Sequence, residues 1–147
     1  MEATSNISGK DGRAQGRFHR DKERKELTPV AVRTIASLFD LWKVPPRAAA
    51  KLMNVDEGTW AAMSDGNWQG ILSVDQLERT SNLVALYRDL KEKMDEQAAE
   101  TWPTTGNSNA PFRGKTPVDI MVLGGLPVIQ AMRRHVKAMQ RQPELVS

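Results

Sequence analysis

The sequence predicts an all-α fold, a helix-turn-helix bundle followed by a small two-helix C-terminal unit. Three observations carry this expectation. Apolar residues recur at three- and four-residue spacing in several separate stretches, as helices with one buried face require. No run of β-branched or aromatic residues alternates with period two, so no strand is expected. Helix-start chemistry, a Ser, Thr or Asp followed by proline or by a glutamine three residues on, opens these stretches.

Residues 1–26 hold Lys10, Arg13, Arg17, Arg20, Lys22, Arg24 and Lys25 against five carboxylates, with Met1, Ile7 and Phe18 as their only large apolar side chains. Such a segment buries too little surface to offset its ordering entropy, and a disordered basic arm is expected over 1–26. Order is expected from Thr28-Pro29, a cap-plus-proline pair, with Ile35, Leu38, Phe39 and Trp42 forming one stripe that ends before Pro45-Pro46. A short helix over Pro46–Met53 follows. Asn54-Val55 breaks it, and Asp56 caps a third helix running to about Met63. Ser73 with Gln76 makes a capping box for a fourth helix, expected to be the longest, with Val74, Leu77, Val84, Tyr87, Leu90 and Met94 on its buried side. These elements make a helical domain over 27–96. Residues 97–115 turn to Pro, Gly, Asn, Ser and Thr and read as a linker loop. Thr116-Pro117 starts the C-terminal unit, 116–142, in which Gly124-Gly125 separates a short helix from a final one carrying Ile129, Met132, Val136 and Met139 on one face.

The chain has 147 residues, of which 39% are hydrophobic, enough for one compact core and too few for a multidomain enzyme. Cysteine is absent, which excludes disulfides, cysteine nucleophiles and thiolate-held metals. With two histidines far apart, His19 and His135, general bases and metal ligands are scarce, so neither catalysis nor a metal or cofactor is expected. The charge, 21 Lys+Arg minus 18 Asp+Glu or +3, permits a nucleic-acid partner without requiring one. No apolar run reaches the roughly 20 residues needed to span a bilayer, and the first residues lack a secretion-signal pattern, so a cytoplasmic location is expected.

Pro46 to Gly66 has helix-turn-helix anatomy: a small-residue helix, a short turn and a second helix. Lys43, Arg47 and Lys51 are candidate phosphate contacts, and Thr59, Asn67 and Gln69 candidate polar contacts, although Asp56 and Glu57 at the second helix's start would repel phosphates unless they only cap it. Ordinary three-helix packing without DNA is the competing reading. Trp42, Trp60 and Trp68 are expected in its core, while Trp102 either pins the loop to the body or anchors a partner. Asn109 to Thr116 imitates a phosphate-binding loop ending in Gly-Lys-Thr. It lacks the first glycine and the preceding strand, and Pro111 has no N–H to donate, so nucleotide hydrolysis is not expected. His135 has no carboxylate spaced to orient it and reads as a rim residue.

The run from Pro111 to Met139 resembles the toxin-binding domain of the Xre/MbcA/ParS antitoxins, with matches at Gly114, Pro117, Asp119, Met121, Gly124, Gly125, Leu126, Arg133 and Arg134. The preceding residues, notably Gly58-Thr59-Trp60, Gly66, Trp68 and Leu72-Ser73 with Asp75-Gln76-Leu77, are similar to that family's Xre-like helix-turn-helix. The resemblance covers about residues 28–141.

It implies an antitoxin of a type II toxin–antitoxin pair, in the bacterial cytoplasm, that occludes a RES-type toxin consuming NAD or transferring ADP-ribose. The antitoxin would also bind its operator DNA, act as a homodimer and perform no chemistry itself. Phe112, Leu126, Ile129 and Met132 are then candidate apolar toxin contacts, and Lys115, Arg133 and Arg134 candidate salt-bridging groups. The apolar residues would equally serve to hold the last two helices together. A stand-alone helix-turn-helix transcriptional regulator without a toxin is the alternative function.

Overall fold

A computed structural model describes residues 20–109 and 111–143. Among these the chain is all-α: seven helices, one 3₁₀ turn and no strand. Helix α1 spans Asp21–Trp42 and α2 Pro46–Met53, followed by α3 at Glu57–Asp65 and α4 at Val74–Lys93. Next come α5, Glu96–Thr101, and the 3₁₀ turn Trp102–Thr104. Helices α6, Pro117–Gly124, and α7, Leu126–Ala138, complete the molecule.

Helix α1 begins at Asp21, seven residues before the expected Thr28 start, and is longer than α4, at 22 residues against 20. The expected arm is therefore helical from Asp21 to Glu26, while residues 1–19 lie outside the described region. Asp21 and Glu23 in the first turn favour the helix dipole, and Asp21 pairs with Arg24. Thr28 does not cap. Its buried hydroxyl donates to the Arg24 carbonyl (2.6 Å) and accepts the Leu72 N–H (3.0 Å), and Arg24 Nη1 donates to the Leu72 carbonyl (3.0 Å). Pro29 thus sits inside the helix, where tertiary bonds offset the backbone bond it cannot donate.

Helices α1, α2 and α3 end as their sequences predict. Lys43 (φ 60°), Asn54 (φ 59°) and Gly66 (φ 82°) take left-handed conformations that close the last turns of α1, α2 and α3. Asp56 caps α3 by accepting the Thr59 N–H at 2.6 Å, and the Ser73–Gln76 capping box opens α4. The expected linker holds α5, capped by Asp95, because Ala98 and Ala99 pack on the core. Its remainder folds back on itself, with the Gly114 N–H on the Asn107 carbonyl at 2.7 Å, and carries the Phe112 ring into the core against Trp102 (5.9 Å) and His135 (5.3 Å). Trp102 therefore pins the loop.

One continuous core joins all of this. Ile35, Phe39 and Trp42 of α1 share it with Leu52 and Met53 of α2, and α4, which contacts α1, α2 and α7, contributes Leu83, Leu86 and Leu90. Helix α4 is therefore central rather than one-faced, and Val84 and Tyr87 are only partly buried. At the α6–α7 corner a β-carbon on Gly124 would lie 2.0 Å from Val128 Cγ2. Gly125 adopts φ 72°, ψ −156°, a conformation essentially confined to glycine. This pair turns the chain sharply enough to seat α7 along α4.

Candidate functional site

The C-terminal corner is built on α4. The α7 residues Ile129, Met132 and Val136 are buried there, which leaves two of the three expected apolar toxin contacts from this helix inside the protein. Phe112 is likewise a core residue. All three hold α7 and the loop in place, and the outward surface must be made by others. Leu126 is half-buried and Pro127 exposed, and Leu123, at the end of α6, is 77% exposed. Leu123 is the most exposed large apolar side chain among the described residues.

Arg133 and Arg134 are adjacent and have opposite roles. Arg133 Nε donates to Asp89 Oδ2 at 3.0 Å and its Nη1 to Asn82 Oδ1 at 3.3 Å, so it is spent on the α4–α7 seam. The Asp89 side chain is 5% exposed, and burial of this carboxylate explains why the arginine beside it is held inward. Arg134 is exposed and, with Lys137, Gln130 and Asn82, lines an open cleft of about 420 Å³. Lys115 is exposed at the end of the loop. Asp89 had a signal in the sequence: it stands in the apolar register of α4 between Leu86 and Leu90, where a carboxylate demands a buried partner.

The six candidate DNA contacts fall into three places. Lys43, Arg47 and Lys51 are all exposed, the last two one turn apart on α2, and make a cationic stripe. Thr59 is half-buried in the first turn of α3, where its N–H serves the Asp56 cap. Asn67 and Gln69 lie beyond the far end of that helix. The turn between α2 and α3 is short, as a helix-turn-helix needs, but α3 exposes Glu57, Gly58, Ala61, Ser64 and Asp65, with no cation among them. The Asp56 carboxyl ionises below its usual range because the Thr59 backbone N–H, then its hydroxyl, stabilise the carboxylate. The cations that would meet phosphates are on α2 and at the end of α1, and the helix expected to enter a groove is acidic.

A groove of about 470 Å³ runs between α1 and α4, with Leu27, Val30, Leu77 and Val84 on its walls and Arg88 at its edge. Val30 is 56% exposed. Among the described residues no cluster of three or more histidine or acidic side chains could hold a metal, and no helix is long and apolar enough to cross a membrane. Comparison with protein-family models, curated proteins and solved structures gave no match to this chain.

Proposed function

We propose that this chain is an antitoxin of the Xre/MbcA/ParS type that blocks a RES-type, NAD-consuming or ADP-ribosylating toxin by occlusion, in the bacterial cytoplasm. The observation that carries the reading is the α6–α7 unit, braced by the Arg133–Asp89 pair, which exposes Leu123 and Pro127 at its corner and Arg134 and Lys137 two to three turns further along α7. Exposed apolar side chains and cations on one rigid unit suit an interface with an electrostatically complementary partner. Preorganisation on α4 lowers the ordering cost of binding. The antitoxin needs no active site, in keeping with a sequence poor in bases and nucleophiles. The experiment is co-expression with a RES-type toxin from a neighbouring gene: Leu123→Glu with Arg134→Glu should reduce rescue of poisoned cells about tenfold or more at unchanged circular dichroism. Full rescue by that variant removes the corner from the interface.

Operator binding belongs to the same reading and rests on Lys43, Arg47 and Lys51, with α2 rather than α3 towards the phosphates. Self-association would use the Leu27–Val30 groove between α1 and α4. The α2 stripe also favours a second reading, a stand-alone transcriptional regulator. A gel shift that weakens with salt and is lost in the triple Glu variant at 43, 47 and 51 supports the DNA contact. An adjacent toxin gene separates the antitoxin from the regulator.

A further inference from the structure

A second groove, of about 550 Å³, lies on another part of the molecule, between the outer face of α1 and the connection from α3 to α4. Its walls are Lys25, Pro29 and Arg33 on one side and Trp68, Gln69 and Ile71 on the other, with Val32 and Met63 buried at its base. The proposed toxin and DNA contacts leave it unused except for Gln69. Its shape is fixed rather than incidental. Two hydrogen bonds, from Arg24 Nη1 to the Leu72 carbonyl and from the Leu72 N–H to the Thr28 hydroxyl, tie the connection to α1, and the Trp68 indole folds so closely over Gly70 that a β-carbon there would lie 2.2 Å from the ring. Ile71 nevertheless remains 42% exposed.

The charges identify the occupant. None of the lining side chains is a carboxylate, and Lys25 and Arg33, both exposed, form no ion pair among the described residues. They are eight residues apart on one helix, hence about 12 Å along its axis, with apolar surface between them. A nucleotide phosphate requires cations that converge on one point. These diverge, and Asp65 stands beside the lip at Gly66. An extended peptide advances about 3.3 Å per residue and points alternate side chains to the same face. The pattern Glu-x-Leu-x-Glu therefore puts two carboxylates about 13 Å apart with an apolar side chain between them, all facing the protein. The geometry points to this groove as a docking site for an extended acidic peptide segment of a partner protein, its apolar side chain lying among Pro29, Trp68 and Ile71 and its flanking carboxylates meeting Lys25 and Arg33.

The test is fluorescence anisotropy on the full chain with labelled peptides containing Glu-Ser-Leu-Ser-Glu, Gln-Ser-Leu-Ser-Gln or Lys-Ser-Leu-Ser-Lys. The acidic peptide should bind about tenfold more tightly than the neutral one, and Lys25→Glu with Arg33→Glu should reverse the preference towards the lysine peptide. Ile71→Ser, which leaves the charges alone, should weaken the acidic peptide severalfold. Equal binding of acidic and neutral peptides, no binding of the acidic peptide, or an unchanged preference in the charge-reversed chain overturns the proposal. So does tighter binding of a short oligothymidylate, which would assign the groove to single-stranded nucleic acid. None of these outcomes depends on toxin rescue.

Discussion

At the scale of single residues, Asp89 is the most exacting group in the molecule, because its charge is nearly closed to water and depends on Arg133 Nε at 3.0 Å. Removing one partner of such a pair leaves the other buried and unpaired, which costs more than the pair contributes. Arg133→Ala should therefore lower stability by about 3 kcal/mol in urea unfolding. Arg134→Ala next to it should change stability by less than about 0.5 kcal/mol. Replacing Asp89 and Arg133 together with leucines should recover most of the loss. The resemblance marked both arginines as partner contacts, and nothing in the local sequence separates them. Which one faces α4 is decided by the rotation of α7 on its axis, and that rotation is set by burial of Ile129, Met132 and Val136.

At the scale of elements, the start signals written into the sequence operate where they stand alone and yield where a longer-range partner competes. Asp56, Ser73 and Thr116 cap as their sequences suggest, since each side-chain oxygen has an orphan N–H within three residues. Thr28-Pro29 carries the same signal and does not start a helix. Its hydroxyl is claimed by Arg24 and by Leu72, 44 residues on, and a pairing so distant has no local trace. Thr28→Val should thus cost about 1–3 kcal/mol by leaving the buried Leu72 N–H without an acceptor, and Thr28→Ser should restore most of it, measured as denaturant midpoints. The Asp56 cap predicts a pH dependence. Its carboxyl ionises below the usual range in the folded chain, so its contribution is present above the unfolded value and is lost as pH falls through the folded one. Asp56→Asn, which caps without titrating, should flatten that part of the acid limb of stability against pH. An unaltered acid limb would show that the cap charge is immaterial.

At the scale of the whole molecule, six of the seven helices among the described residues were legible, and α5 with the turn after it was not. Leu83, Leu86 and Leu90 stand at i, i+3 and i+7 on one face of α4 and Leu77 well round from them, and the helix is seen to be covered on several sides only once α1, α2 and α7 are seated against it. The terminal unit completes the core. A chain ending at residue 115 should lose cooperative unfolding, with circular dichroism and tryptophan fluorescence transitions no longer coincident, while the full chain gives one transition by both. The candidate surfaces were half legible for a related reason. Sequence supplies the charge of Lys43, Arg47 and Lys51, but the groove around Trp68 exists only because α1 and a distant connection are bonded together.

The far end of α4 gives one more result. The Glu92 carbonyl accepts from Arg141 Nη1 at 2.7 Å, the Lys93 carbonyl from the Gln142 N–H at 2.6 Å, and Lys93 Nζ reaches the Met139 carbonyl at 2.8 Å. Fraying of the central rod is thereby coupled to release of the chain that leaves α7. In native-state deuterium exchange, the Met94 and Gln142 amides should open in one step with a shared free energy, although nearly fifty positions separate them.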